Sequence, residues 1–148
     1  MVSRNRIFIG FVALMACLGG CGYKMATFPD HDGAQVWSAM VTAAEYPEYD
    51  DWLVIENDVW GDPSTARVEV LRLLMRDRVE LGEDPIREEE RWRFQIYLLE
   101  FEPPTVRFMA RQAAVPSHVW REAERYFDDV RALLNASEPR SAKVTDGG

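Results

Sequence analysis

Residues 91–112 read RWRFQIYLLEFEPPTVRFMARQ, and the alternation within this stretch decides the fold. Trp92, Phe94, Ile96 and Leu98 recur at every second position, with Arg91, Arg93, Gln95 and Tyr97 between them. A period of two places the two sets on opposite faces of one strand. Residues 105–112 repeat the pattern, Val106, Phe108 and Ala110 alternating with Arg107, Met109 and Arg111. Glu102-Pro103-Pro104 separates the two runs, so the stretch predicts a β-hairpin. Directly opposed residues share a face and both apolar sets are even-numbered, which demands an odd-length loop or a bulge. A three-residue loop at 102–104 meets that condition and pairs Leu98 with Phe108 and Ile96 with Ala110.

The neighbouring segments extend this core. Residues 51–59 (DWLVIENDV) are rich in aromatic and β-branched side chains and lead into the turn Gly61-Asp62-Pro63-Ser64. Residues 65–77 (TARVEVLRLLMRD) fit a helix or a strand; Val68, Val70 and the preceding turn favour the strand. Residues 80–90 (ELGEDPIREEE) read as an acidic loop. Upstream, Asp32 with Gln35 forms a capping-box pattern for a helix over 33–44, carrying Val36, Trp37, Met40, Ala43 and Ala44 and stopped by Pro47. Downstream, Ser117 caps a second helix whose stripe is Val119, Trp120, Ala123, Phe127, Val130, Leu133 and Leu134, ending at Asn135. The expected order is α-β-β-β-β-α. It is an α+β fold with a four-stranded antiparallel sheet and both helices packed on one face. Residues 32–135 form one domain, and residues 136–148 have too little to bury to be ordered.

The N-terminus reads differently. Arg4 and Arg6 precede the apolar run 7–16 (IFIGFVALMA), and small residues lead to Leu18-Gly19-Gly20-Cys21. A membrane-spanning helix needs about 20 consecutive apolar residues, and glycines interrupt this run at 10, 19, 20 and 22. The segment resembles the signal peptide of bacterial lipoproteins, with Cys21 as the lipobox cysteine. The resemblance covers residues 1 to about 23 and concerns sorting rather than activity. It implies removal of residues 1–20, acylation of Cys21 with palmitate-type chains, and residues 21–31 as a tether to the bilayer. Leu14-Met15-Ala16-Cys17 offers Cys17 as the alternative anchor. Gly22, rather than aspartate, follows the cysteine, which in a diderm host implies the inner leaflet of the outer membrane, facing the periplasm.

Composition narrows the partners. The full chain carries 17 Lys and Arg against 25 Asp and Glu; loss of Arg4 and Arg6 leaves 15 against 25, a net charge of −10. Such a domain repels nucleic acid and does not seek anionic lipid on its own. Its only cysteines are Cys17 and Cys21, so the exported domain holds itself together without a disulfide.

No stretch announces a reaction. Asp30-His31-Asp32 resembles a ligand set, but it lies on the tether and Asp32 already has a capping role. His118 follows Ser117 directly, which is no triad geometry. Glu56 and Asp58 share a strand face and are weak candidates for a divalent cation. Arg91, Arg93, Tyr97, Arg107 and Arg111 form the polar face of the hairpin, suited to a carboxylate- or phosphate-bearing partner unless Glu69, Glu88, Glu89 and Glu90 neutralise it. The expectation is therefore a non-enzymatic accessory or protein-interaction domain of the cell envelope, anchored by lipid, without cofactor or resident metal. The alternative is a small-ligand or divalent-cation binder using the acidic face of the first strand.

Overall fold

A computed structural model describes residues 22–111 and 119–137. Those residues form strands β1 (Tyr23–Thr27), β2 (Leu53–Asp62), β3 (Arg67–Arg78), β4 (Ile86–Phe101) and β5 (Pro104–Ala110), with helices α1 (Gly33–Glu45) and α2 (Val119–Ser137). The α+β class and the antiparallel sheet agree with the sequence. The strand count does not: the sheet has five strands, in the order β1-β5-β4-β3-β2.

The additional strand is β1, in residues expected to be tether. Tyr23 pairs with Met109 and Thr27 with Thr105, antiparallel along β5. Ala26 points into the core, and Phe28 beyond it is buried, its N–H donating to the Pro104 carbonyl at 2.8 Å. Pairing with a strand some eighty residues away orders this stretch, which local periodicity does not reveal. Gly22 is also engaged. A β-carbon there would lie 2.5 Å from the Trp120 ring, so its bare backbone is what allows β1 to abut the start of α2.

The central hairpin keeps its predicted faces but not its predicted register. Ile96 pairs with Phe108, Phe94 with Ala110 and Leu98 with Val106, and a shift follows between Leu98 and Glu100. Phe101 pairs with Pro104, leaving Glu102-Pro103 as the connection. The parity constraint is met by a bulge at Leu99 instead of a three-residue loop. β4 also begins earlier than expected. Residues 86–90 are strand because β3 supplies the countercharges: Arg76 and Arg78 both pair with Glu88, and Arg87 pairs with Asp77. The ambiguous segment 65–77 is strand, as favoured. At the turn before it, the Asp62 carboxylate accepts from the Ser64 and Thr65 hydroxyls at 2.6 and 2.8 Å, bonds that hold its pKa below the usual value.

Both helices lie on the face carrying Val68, Val70, Phe94, Ile96 and Phe108. α1 has the predicted capping box, the Gln35 N–H donating to Asp32 Oδ1 at 2.8 Å. The stripe of α2 includes Ala123, Phe127, Val130 and Leu134 as expected, and also Tyr126, which donates to the Met40 carbonyl of α1 at 2.8 Å. Phe94 and Phe108 meet in a tilted contact with centroids 4.8 Å apart, and Tyr126 and Phe127 close on Phe108. The helix runs two residues past Asn135 to Ser137. Ser117 and His118 lie outside the described residues, as do Cys17 and Cys21.

If β1 is integral to the sheet, Phe28→Ala should lower stability by about 3 kcal/mol, the usual cost of emptying a buried aromatic site. Urea unfolding of the chain from Gly22 onward measures it. A change below about 0.5 kcal/mol, typical of surface substitutions, would return the segment to a tether.

Candidate functional site

The register divides the sheet into two faces of different chemistry. Residues opposed across each pair place Tyr23 and Met25, Arg107 and Met109, Arg93, Gln95 and Tyr97, Glu69, Leu71, Leu73 and Met75, and Glu56, Asp58 and Trp60 on the face away from the helices. Trp60 is 55% exposed there, and Leu71, Leu73, Met75 and Met109 are half-buried. This is more apolar surface than a solvated sheet face needs.

The predicted arginines lie on this face, in unequal states. Arg107 stacks over the Tyr97 ring at 5.1 Å from its centroid, and the Tyr97 hydroxyl donates to Gln95 Oε1 at 2.9 Å. Gln95 in turn donates to Glu69, which also faces Arg67 at 4.0 Å. Buried Arg107 Nε has no hydrogen-bond partner among the described residues. Arg93 and Arg111 are exposed and have no carboxylate partner among those residues, and the Arg111 N–H bonds to the Arg93 carbonyl at 2.9 Å. Of the carboxylates expected to neutralise the face, Glu69 is held on it by Gln95 and faces Arg67, Glu88 pairs with Arg76 and Arg78, Glu90 accepts from the Trp92 indole at 2.6 Å, and Glu89 lies on it opposite Met75. Arg91 opposes Leu73 on the same face.

Glu56 and Asp58 share this face on edge strand β2, opposite Leu73 and Leu71. Among the described residues no three His, Cys, Asp or Glu side chains are grouped to hold a metal ion. Asp32 is occupied as the cap of α1.

On the helix side lies a polar cluster that sequence reading missed. Arg72 and Glu122 are nearly fully enclosed, with side-chain exposures of 2% and 3%, and meet at 3.2 Å. Arg72 donates to Asn57 Oδ1 at 2.8 Å, to the Tyr49 hydroxyl at 2.6 Å and to the Ala44 carbonyl at 2.9 Å. Tyr49 donates onward to Glu122 Oε1 at 2.9 Å, and Arg125 grips both Glu122 oxygens at 2.6 and 3.0 Å. Asn57 caps the end of α1 through the Ala44 and Glu45 carbonyls. The signal was present in the sequence: Arg72 falls in phase with Val68, Val70 and Leu74, a core position.

Electrostatics follow from this enclosure. Burial pushes the Tyr49 phenol far up, Glu122 adding to the rise and Arg72 and Arg125 opposing it. Burial alone drives most of the rise at Tyr126. Burial pulls Arg125 down, but its bonds and attraction to Glu122 outweigh that and leave it raised. Asp129 is raised by burial despite Arg125. Beside the cluster opens a cleft of about 520 Å³, bounded by Tyr49, Trp52, Trp92, Arg76, Arg121 and Arg125. Arg76 already covers Trp52 and Arg125 covers Tyr49, each 4.4 Å from the ring centroid. Two of the aromatic walls, Trp52 and Tyr49, are thus covered by the protein's own cations, while the buried Trp92 meets Tyr49 edge-on, and the cluster fastens the layers together.

Removing one member should be costly. Glu122→Ala strands Arg72 in the core and should destabilise the fold by about 3–5 kcal/mol, whereas Arg72→Met with Glu122→Leu should cost far less. Denaturant unfolding of both variants checks the contrast, and equal losses would contradict it. The phenols set a pH limit. Their folded values lie above the ordinary 10, so the stability they contribute is complete below pH 10 and is lost as pH rises through it. Tyr49→Phe with Tyr126→Phe should flatten the fall in urea midpoint between about pH 9 and about pH 11. An unchanged slope would refute the assignment.

Comparison of the chain with known protein families, with curated proteins and with solved structures finds no match.

Proposed function

We propose that this chain is a lipid-anchored, non-enzymatic accessory domain of the bacterial cell envelope, acylated at Cys21, that docks a second envelope protein on its open sheet face. In a diderm host it sits on the inner leaflet of the outer membrane and faces the periplasm. The observation that carries the docking half is the combination on one face of exposed Trp60, half-buried Leu71, Leu73 and Met109, and the arginines Arg93 and Arg111 without carboxylate partners among the described residues. Aromatic and arginine side chains are the usual anchors of protein interfaces. Guanidinium forks on this face suit a partner bearing carboxylates. The anchoring half is supported by the charged head, short apolar run and Leu18-Gly19-Gly20-Cys21 of the sequence. Among the described residues no helix is long and apolar enough to cross a membrane.

Arg93→Glu with Arg107→Glu should reduce recovery of a co-purifying protein from detergent-solubilised membranes at least tenfold, as expected for about 1.4 kcal/mol or more of lost binding. Undiminished recovery would remove the sheet face from the proposal. Acyl labelling followed by membrane fractionation tests the anchor. The wild type and Cys17→Ser should label and sediment, and Cys21→Ser should do neither.

A further inference from the structure

The chain enters β1 almost as soon as it leaves Cys21. Only Gly22 separates that cysteine from Tyr23, the first residue of the strand. Two residues span at most about 7 Å, and Gly22 is itself packed on Trp120. A lipid on Cys21 therefore has no slack with which to hold the domain away from the bilayer.

A second feature limits how the domain meets the surface. β2, β3 and β4 run on past β1 and β5 at the end where β1 begins. Tyr23 is level with Met109 and hence with Gln95, while β4 starts at Ile86, opposite Arg78. At about 3.3 Å per residue this extension projects about 30 Å beyond Tyr23, as three strands as far as Leu53 and as the β3–β4 pair for about the last 10 Å. Arg76, Asp77, Arg78, Arg87 and Glu88 line it, joined in ion pairs. Standing the sheet on that end would drive the charged extension into hydrocarbon, which is prohibitively unfavourable. Laying the β1 edge along the membrane keeps Cys21 at the surface and the extension out of the hydrocarbon.

The edge has the chemistry for this. Tyr23 and Met25, on the open face next to it, are 54% and 48% exposed. Beside them, Lys24 pairs with Glu124 and Arg131 with Asp128, while Arg107 and Arg111 have no carboxylate partner among the described residues. In a domain of net charge −10, this border does not repel phosphate headgroups. Resting on the reading of Cys21 as the acylated residue, we propose that the β1 edge lies on the phospholipid surface. The sheet then rises from the bilayer as a wall with its open face turned sideways.

The processed chain retains no cysteine but the acylated one, so an introduced cysteine takes a fluorescent thiol label alone. Met25→Cys, with Thr27→Cys as a second site on the edge, is compared with Asp58→Cys on the far strand. The lipidated proteins are reconstituted into phosphatidylethanolamine–phosphatidylglycerol vesicles containing a headgroup nitroxide lipid. Labels on the β1 edge should be quenched at least threefold more than the label at Asp58. A ten-residue Gly-Ser insertion between Gly22 and Tyr23 should abolish the difference while flotation with vesicles persists. Equal quenching at the two edges of a protein that floats would overturn the posture and leave the anchor intact. Flotation of Cys21→Ser equal to wild type would overturn the anchor, and the posture with it.

Discussion

The ion pair between Arg72 and Glu122 is the constraint on which the arrangement of layers depends. A guanidinium so enclosed needs its donors satisfied, and this one is served by β2 through Asn57, by the end of α1 through Ala44, by the loop before β2 through Tyr49, and by α2 through Glu122. Apolar contacts tolerate sliding, whereas a fan of directed bonds does not. The cluster therefore specifies how far each helix lies along the sheet, while Phe94, Phe108, Tyr126 and Phe127 supply the burial that makes the layers adhere. Arg72 near the last carbonyls of α1 also places positive charge at the negative end of that helix.

The two faces of the sheet differ because the same alternation is used for different ends. On the covered face Trp92, Phe94, Ile96 and Leu98 of β4 and Val106 and Phe108 of β5 are apolar and sealed. On the open face a mixed set of arginine, tyrosine, leucine, methionine and tryptophan side chains remains at the surface. Local pairing absorbs part of that charge, through Arg107 on Tyr97 and Glu69 with Gln95. Arg93 lies outside these pairings, opposite Leu71, which leaves cationic and apolar surface adjacent.

Much of this was legible in the sequence wherever neighbours along the chain determine structure. The period of two in residues 91–112 revealed both hairpin faces, and Asp32 with Gln35 marked the start of α1. Parity showed that the hairpin needed an odd residue, but not that Leu99 would bulge. The failures share a cause in distant partners. YKMAT carries too weak a pattern to announce a strand, and β5 makes it one. Residues 86–90 look like a solvated acidic loop until the arginines of β3 are set across from them. Arg72 and Glu122 look like two ordinary charges in separate segments, and only folding shows that each is the other's reason for being buried.

The pairing of β1 with β5 has a temporal consequence. Thr27 and Thr105 meet across a separation of 78 residues, and contacts of such range close late because chain entropy opposes them until the intervening structure exists. The acceptor is the outer edge of a hairpin completed only when residues 104–110 have been synthesised and folded. Until then the N-terminal strand has no edge to join. The strand that follows Gly22 accordingly stays unpaired while the rest of the chain is made, and the sheet closes along its β1 edge last.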